Sequence, residues 1–234
     1  AFTPSLKYRL NAGLNTSFNS NKIYVGIFNM DNRSNNTQTL NQSKSEANEY
    51  LLENTLSFDK VFQDKYSVSL LGGFTQQNAF FSNMSGSRRD APSNELQVFD
   101  AMTGVFTLGG NEAEWALRSF LGRANISIVD KYLFTATIRR DGSSRFGRER
   151  RFGDFPSVAL GWRLIEEGFM QNQNTFSNLK IRGSFGIIGN DKIDEYEGVP
   201  VVTGNENAVF GVNESLLYGA ALTELANPFI QWEE

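Results

Sequence analysis

A chain of 234 residues with 21% charged side chains and a formal net charge of -4 is long enough for one β-domain, and its composition is too ordinary for disorder. It has no cysteine and no histidine, which excludes a disulfide framework, a thiolate metal site and the commonest general base. The acidic balance gives no global basic field, so nucleic acid is not an expected partner, and no run of about 18 apolar residues marks a transmembrane helix.

Alternation of apolar and polar residues predicts strands near 5–18, 49–62, 65–80, 116–129, 131–141, 155–166 and 178–189, with another starting at 229–234. In the first, Leu6, Tyr8, Leu10, Ala12, Leu14 and Phe18 share one parity, and Lys7, Arg9, Asn11, Asn15 and Ser17 the other. Successive strand side chains point to opposite faces, so one face is apolar and the other polar. Tyr66, Val68, Leu70 and Phe74 repeat the pattern, as do Phe120, Ala124, Ile126 and Ile128, and then Tyr132, Phe134, Ala136 and Ile138. A soluble sandwich gives the same string, so length decides. Membrane-spanning strands need about 9 to 11 residues, whereas strands of globular proteins average about 5 or 6. The predicted strands are long enough to span.

The predicted connections alternate between a few residues, at Gln63–Asp64 and Asp130, and long segments at 19–48, 81–115, 142–154 and 190–228. That alternation matches outer-membrane barrels, with short periplasmic turns and long extracellular loops, and places the four long segments outside. Phe62, Tyr66 and Tyr132 at one rim, and Phe18, Phe80, Phe81 and Phe155 at the other, are the expected aromatic girdles.

An ordered series of motifs fills the second half. Ser119-Phe120-Leu121-Gly122-Arg123 leads through Asp130-Lys131-Tyr132-Leu133 to Arg139-Arg140-Asp141-Gly142-Ser143-Ser144-Arg145-Phe146-Gly147. Phe155-Pro156-Ser157-Val158, Gly161-Trp162-Arg163, Glu167-Gly168-Phe169-Met170 and Leu179-Lys180-Ile181-Arg182-Gly183-Ser184-Phe185-Gly186 follow, then Gly189-Asn190, Asn227-Pro228 and Trp232-Glu233. In this order and spacing they resemble the SusC/RagA family of TonB-dependent outer-membrane transporters of Bacteroidota, strongly over 117–234 and by pattern alone before that. The resemblance implies an all-β fold, an antiparallel transmembrane β-barrel segment supplying about 7–8 strands of a barrel of roughly 22. It implies that 1–234 form part of one barrel domain, with the plug domain and the N-terminal energy-coupling region lying elsewhere. It further implies import of oligosaccharides or peptides with a SusD-like surface lipoprotein, energy supplied through TonB, contact with outer-membrane lipid, and no cofactor.

The residues allow separate readings. Asp141-Gly142-Ser143-Ser144 is a turn string, because Asp and Ser bond locally and Gly admits positive φ. Arg145, Arg148, Arg150 and Arg151 follow it and could grip an anionic substrate or a lipid phosphate, against the plainer reading of a solvated charged loop. Phe155-Pro156 reads as a strand opening, since proline at a first position loses no ladder bond. Trp162 is expected to face lipid. Arg123, Arg139, Arg163, Lys180 and Arg182 fall on the polar parity, facing the lumen, where plug carboxylates would pair with them, because unpaired buried charge is costly. Arg145, Arg148, Trp115 and Tyr218 are the candidate loop contacts with cargo. Two alternatives stand beside the transporter: a complete small outer-membrane barrel filled by its own side chains, and a soluble carbohydrate-binding β-domain holding sugar on Trp115 and Tyr218. A glycosidase using Glu166 and Glu167, or Glu112 and Glu114, is disfavoured, because adjacent carboxylates on a strand, such as Glu166 and Glu167, point to opposite faces and the loop glutamates show no spacing logic.

Overall fold

The computed structural model describes residues 3–210, 215–225, 227 and 229–233. Its strands are β1 (Leu6–Val25), β2 (Phe28–Met30), β3 (Arg33–Asn35), β4 (Thr39–Phe62), β5 (Tyr66–Arg89), β6 (Thr107–Ile128), β7 (Tyr132–Ser143), β8 (Phe152–Arg163), β9 (Lys180–Gly186), β10 (Val201–Phe210) and β11 (Ser215–Glu224). Seven of them form one sheet in the order β1-β4-β5-β6-β7-β8-β9; β2-β3 and β10-β11 are separate hairpins. Neighbours in the sheet are neighbours in sequence apart from the inserted β2-β3 hairpin, and the registers from β6 to β9 are antiparallel.

Tight turns set this topology. Gln63 and Asp64 have φ of 53° and 52°, and Val129 and Asp130 have 52° and 55°. Positive φ at both central residues is the type I′ geometry, whose twist matches that of the flanking strands. Lys65 N–H to Phe62 C=O and Lys131 N–H to Ile128 C=O, each 3.0 Å, close the two turns. Val129 holds its left-handed backbone without the glycine or asparagine such a site favours.

The strands outrun the sequence reading at the opposite ends. Residues 19–25, 39–48, 81–89 and 107–115 were expected in loops and are strand. Their Asn- and Ser-rich composition removes the apolar alternation, yet neighbouring strands satisfy the backbone, and polar side chains do not oppose a ladder. β7 likewise runs on to Ser143, so the Asp141-Gly142-Ser143 turn reading is corrected: the Arg139 guanidinium holds Asp141, and the turn starts at Ser144. β8 begins at Phe152, which puts Pro156 inside the strand. Pro156 lies one residue beyond the end of the β8-β9 register at Ser157–Gly186, where its carbonyl still accepts from Ile187 at 3.0 Å, so its missing donor falls at the margin of the ladder and not within it. β8 ends at Arg163, and short 3-10 turns at Leu164–Glu166 and Gly168–Met170 replace the predicted strand end. The residues expected to start a strand at 229–234 contribute one bridge, Asn190 to Glu233, while Glu234 lies outside the described residues.

Register fixes the two faces, since cross-strand partners share one. Phe134 pairs with Leu160, which pairs with Gly183; Ala136 pairs with Val158, which pairs with Phe185; Tyr132 pairs with Trp162, which pairs with Ile181. This face is apolar and exposed, with Leu160 at 61% and Phe185 at 74%. The other face carries Thr135, Thr137, Ser157, Arg163, Arg182 and Ser184, and its β7 and β8 positions from Leu133 to Thr137 and Ser157 to Arg163 are half-buried. A soluble sandwich would bury the apolar side and wet the polar one. Here the sense is inverted, and a contiguous exposed apolar surface of this kind marks contact with membrane or protein.

The chain divides into two compact units: residues 1–12, 51–77 and 115–234 in one, and 13–50 and 78–114 in the other. In the first, the buried core is Phe146, Phe155 and Trp232, flanked by Leu117, Ile187, Ile193 and Ile230. In the second, Leu40 and Met102 are the fully buried apolar side chains. There Arg88 donates to the Phe99 and Gly104 carbonyls at 2.8 and 3.0 Å, pinning the 90–106 connection to β5.

Candidate functional site

The five basic residues expected on the polar parity share one face. Arg123 on β6 lies opposite Thr137, two residues from Arg139 on β7; on β8 and β9, Arg163 is opposite Lys180, and Arg182 is opposite Gly161. The period of a strand places them there, because residues i and i+2 point the same way. Their surroundings differ. The Arg139 Nε donates to both Asp141 oxygens at 2.7 and 2.6 Å and its Nη2 to Ser119 Oγ at 3.3 Å, so Arg139 is satisfied within the sheet. Arg123 donates to Thr137 Oγ1 at 3.3 Å. Arg163, Lys180 and Arg182 form no ion pair among the described residues, although two of them are directly opposite one another. Like charges at one cross-strand position repel, so this end of the face is open to an anionic partner.

At the other end of the same face the turn after β7 folds inward. Arg145 reaches Asp191 at 3.4 Å and Glu195 at 3.0 Å, and its guanidinium lies 5.2 Å from the centre of the Trp115 ring. The arginine hydrogen bond beside Glu195 holds that carboxyl below the usual range. Phe146, beside it, packs on Trp232 at 5.2 Å between ring centres, and Trp232 packs edge-on to Phe155. Trp232 Nε1 donates to the Arg151 carbonyl at 2.9 Å, so the buried indole is satisfied. Phe155 needs glycine beneath it: a Cβ on Gly189 would stand 2.0 Å from its ring and one on Gly153 2.5 Å. Phe155 is therefore a core residue and not part of an aromatic girdle.

Three of the four expected loop contacts are thereby placed. Trp115 lies on β6 and not in a loop, because the strand starts at Thr107. Arg145 is half-buried in a network of its own, and Arg150 and Arg151 donate to Gln231 and to the Phe146 carbonyl, so the segment is not simply a solvated charged loop. Arg148 is exposed. The Tyr218 backbone pairs with Asn207 in the β10-β11 hairpin, and its side chain lies outside the described residues.

Glu167 is a hub that sequence reading missed. It accepts from Trp162 Nε1 at 3.0 Å, Tyr132 Oη at 2.9 Å and Lys131 Nζ at 3.3 Å. The Trp162 hydrogen bond, followed by that of Tyr132, holds its carboxyl below the usual range. Tyr132 and Trp162 stack, with ring centres 6.5 Å apart. Two amphipathic rings thus stand at the edge of the apolar face with their polar ends gathered, an arrangement suited to a membrane–water boundary. Beside them the apolar face forms a hollow of about 740 Å³ that includes Phe134, Leu160 and Gly183. Glu166 and Glu167 occupy a 3-10 turn and its flank rather than a strand, and Glu167 is taken up by this hub, which removes the paired-carboxylate reading there.

The second unit contains a cavity of about 270 Å³ whose lining includes Asn21, Asn41, Ser43, Ser85, Ser87 and Thr107. These groups are neutral, and each can donate or accept a hydrogen bond.

No protein-family model matches the chain. It is 35% identical over 184 residues to TonB-dependent receptor P39 of Formosa agariphila, covering 78% of this chain and 17% of that receptor. To the TonB-dependent receptor SusC of Bacteroides thetaiotaomicron it is 41% identical over 120 residues, covering 50% of this chain and 12% of SusC. The solved structure of the RagAB peptide transporter superposes with a TM-score of 0.87 at 21% identity, over 98% of this chain and 25% of that one. The RagAB peptide importer in its open-open state gives 0.88 over 99% and 25%. The fold is thus an antiparallel transmembrane β-barrel segment, and the relatives are receptors rather than enzymes. The chain belongs to the SusC/RagA family of TonB-dependent receptors and spans less than a fifth of the length of the curated members it matches.

Proposed function

We propose that this chain forms wall and rim of an outer-membrane transporter that imports oligosaccharides or peptides. The observation that carries this is the inversion of the sheet: an exposed apolar face that suits lipid and a polar face that suits a water-filled, partly plugged interior. In this reading the ends of β7 and β8 near Arg145 point outside the cell, and the Gln63–Asp64 and Val129–Asp130 turns face the periplasm. Arg163, Lys180 and Arg182 are where plug carboxylates would seat. The cavity in the second unit, where Ile23 and Leu108 stand among neutral amides and hydroxyls, and the 190–228 connection are the surfaces for cargo; with no charged group in its lining, the cavity favours uncharged ligands. A SusD-like surface lipoprotein would cap the outward rim. Energy would arrive through TonB by way of another part of the protein.

The test is uptake by cells carrying the whole receptor. Labelled neutral oligosaccharide or peptide should enter in a TonB-dependent way, a surface lipoprotein should co-purify, and Asn21→Asp with Asn41→Asp should depress uptake. Uptake unchanged after deletion of the receptor gene, for both cargo classes, would overturn the reading.

A further inference from the structure

Two arginines on the membrane-facing side are used by neither the import reading nor the cations of the other face. Arg118 on β6 and Arg140 on β7 share the parity of Ile126, Phe134 and Leu160. Arg140 pairs with Phe120 and Asp154, while Arg118 pairs with Gly142, which pairs with Phe152. The two arginines are thus diagonal neighbours on one face, within mutual reach of long side chains.

Their height along the strand is informative. Tyr132, at the aromatic edge of the apolar face, and Arg140 are eight residues apart on β7. At about 3.3 Å per residue and a tilt of about 40° that is roughly 20 Å of bilayer, close to the 25 Å apolar band of such barrels. Between them this face presents only Phe134, Ala136 and Ile138 on β7, and Pro156, Val158 and Leu160 on β8. The guanidinium groups therefore emerge where lipid tails give way to headgroups, and their aliphatic stems can lie along the apolar surface.

The site has shape and spare donors. A cleft of about 230 Å³ runs past Gln76, Arg118, Gly142, Ser144, Arg151 and Phe152; Arg140 stands outside its lining, on the Phe152 ring that borders it. The Phe152 ring fills the space above Gly142, where a Cβ would meet it at 2.5 Å, and Arg140 stacks on that ring at 5.3 Å. A guanidinium has five N–H donors. Arg118 makes one long hydrogen bond, 3.4 Å to Gln76. Arg140 makes one of 3.4 Å to Asp154, with both side chains 55% exposed, a pair weak enough to yield to a better anion. Paired forks at a headgroup boundary match a phosphate better than any uncharged group.

We propose that Arg118 and Arg140 bind the phosphate group of a membrane lipid whose acyl chains lie on Ile138, Val158 and Phe185. This rests on the membrane-spanning reading and adds a ligand site to it.

The test uses the intact receptor in detergent. It is titrated with dioctanoyl phosphatidic acid, dioctanoyl phosphatidylcholine and inorganic phosphate, and occupancy is read by native mass spectrometry. Wild type should bind phosphatidic acid about tenfold more tightly than the Arg118→Gln/Arg140→Gln variant, with Arg118→Lys/Arg140→Lys within about threefold of wild type. Each single Gln variant should lose about threefold, which keeps the test intact if the double variant does not fold. Unchanged affinity in the Gln variants overturns the site. Equal loss in an Arg148→Gln/Arg150→Gln control overturns it in favour of diffuse charge. Displacement of phosphatidic acid by equimolar inorganic phosphate overturns the lipid as ligand. A receptor that stays soluble without detergent sinks the membrane reading as well; one that needs detergent but binds lipid independently of the arginines sinks this proposal alone.

Discussion

Arg163 and Lys180 face one another across the β8-β9 ladder, two cations at one register position on the polar side of the sheet. Directly opposed like charges cost roughly 0.5 kcal/mol unless an anion lies between them. If plug carboxylates seat here as proposed, Lys180→Glu in the intact receptor should lower the midpoint of urea unfolding, because it would turn such a carboxylate away. In a receptor whose plug has been deleted the same change should raise the midpoint by relieving the repulsion. Parallel urea titrations of the two forms check both signs.

Asp141 is held by the Nε of Arg139 at 2.6 and 2.7 Å, with the carboxylate 10% and the arginine 54% exposed. Asp141→Ala leaves the arginine able to reach water, so the loss should be about 1–2 kcal/mol rather than that of a fully buried pair. Equilibrium unfolding in detergent measures it, and Asp141→Asn should lie between the two.

Gly189 and Phe155 occupy the same space: the added methyl of Gly189→Ala would fall 2.0 Å from the ring. The ring must move off Trp232, with an expected cost of about 2 kcal/mol. Gly189→Ala/Phe155→Leu should recover part of this, which a double-mutant cycle by thermal unfolding would show.

Glu195 has its carboxyl held below the usual range by the Arg145 hydrogen bond. A lowered folded-state pKa contributes stability that is present above the unfolded value, about 4.3, and is lost as pH falls through the folded one. Proteolysis of the 190–200 connection should thus be slow at neutral pH and accelerate as pH falls below the unfolded value and through the lowered folded one. An acid-tolerant protease reads it, and in Glu195→Gln the acceleration should vanish because cleavage is already fast at neutral pH.

How much of this was readable in sequence depends on the kind of relationship. Arg123, Arg139, Arg163, Lys180 and Arg182 share one face because strand parity is a local rule with period two that the registers keep, and that much is legible in the sequence. Arg145 was read as a loop contact because its partners, Asp191 and Glu195, stand 46 and 50 residues away, and no periodicity connects a turn to a distant connection. Glu167 escaped for the same reason: its donors arrive from Lys131, Tyr132 and Trp162 through the geometry of two turns. The outer halves of β1, β4, β5 and β6 were hidden by their Asn- and Ser-rich composition, which erases the apolar signal while leaving the backbone free to pair.

The central claim is that β9 divides lipid from interior, and single cysteines in this cysteine-free chain test it most directly. Residues 180–186 of the intact receptor in membranes would be replaced one at a time, treated with a membrane-impermeant maleimide and, separately, carried as a fluorophore beside brominated lipid. The account predicts maleimide labelling at Lys180, Arg182 and Ser184, and bromolipid quenching at Ile181, Gly183 and Phe185. Labelling of all seven positions without quenching, or the opposite phase, would contradict it.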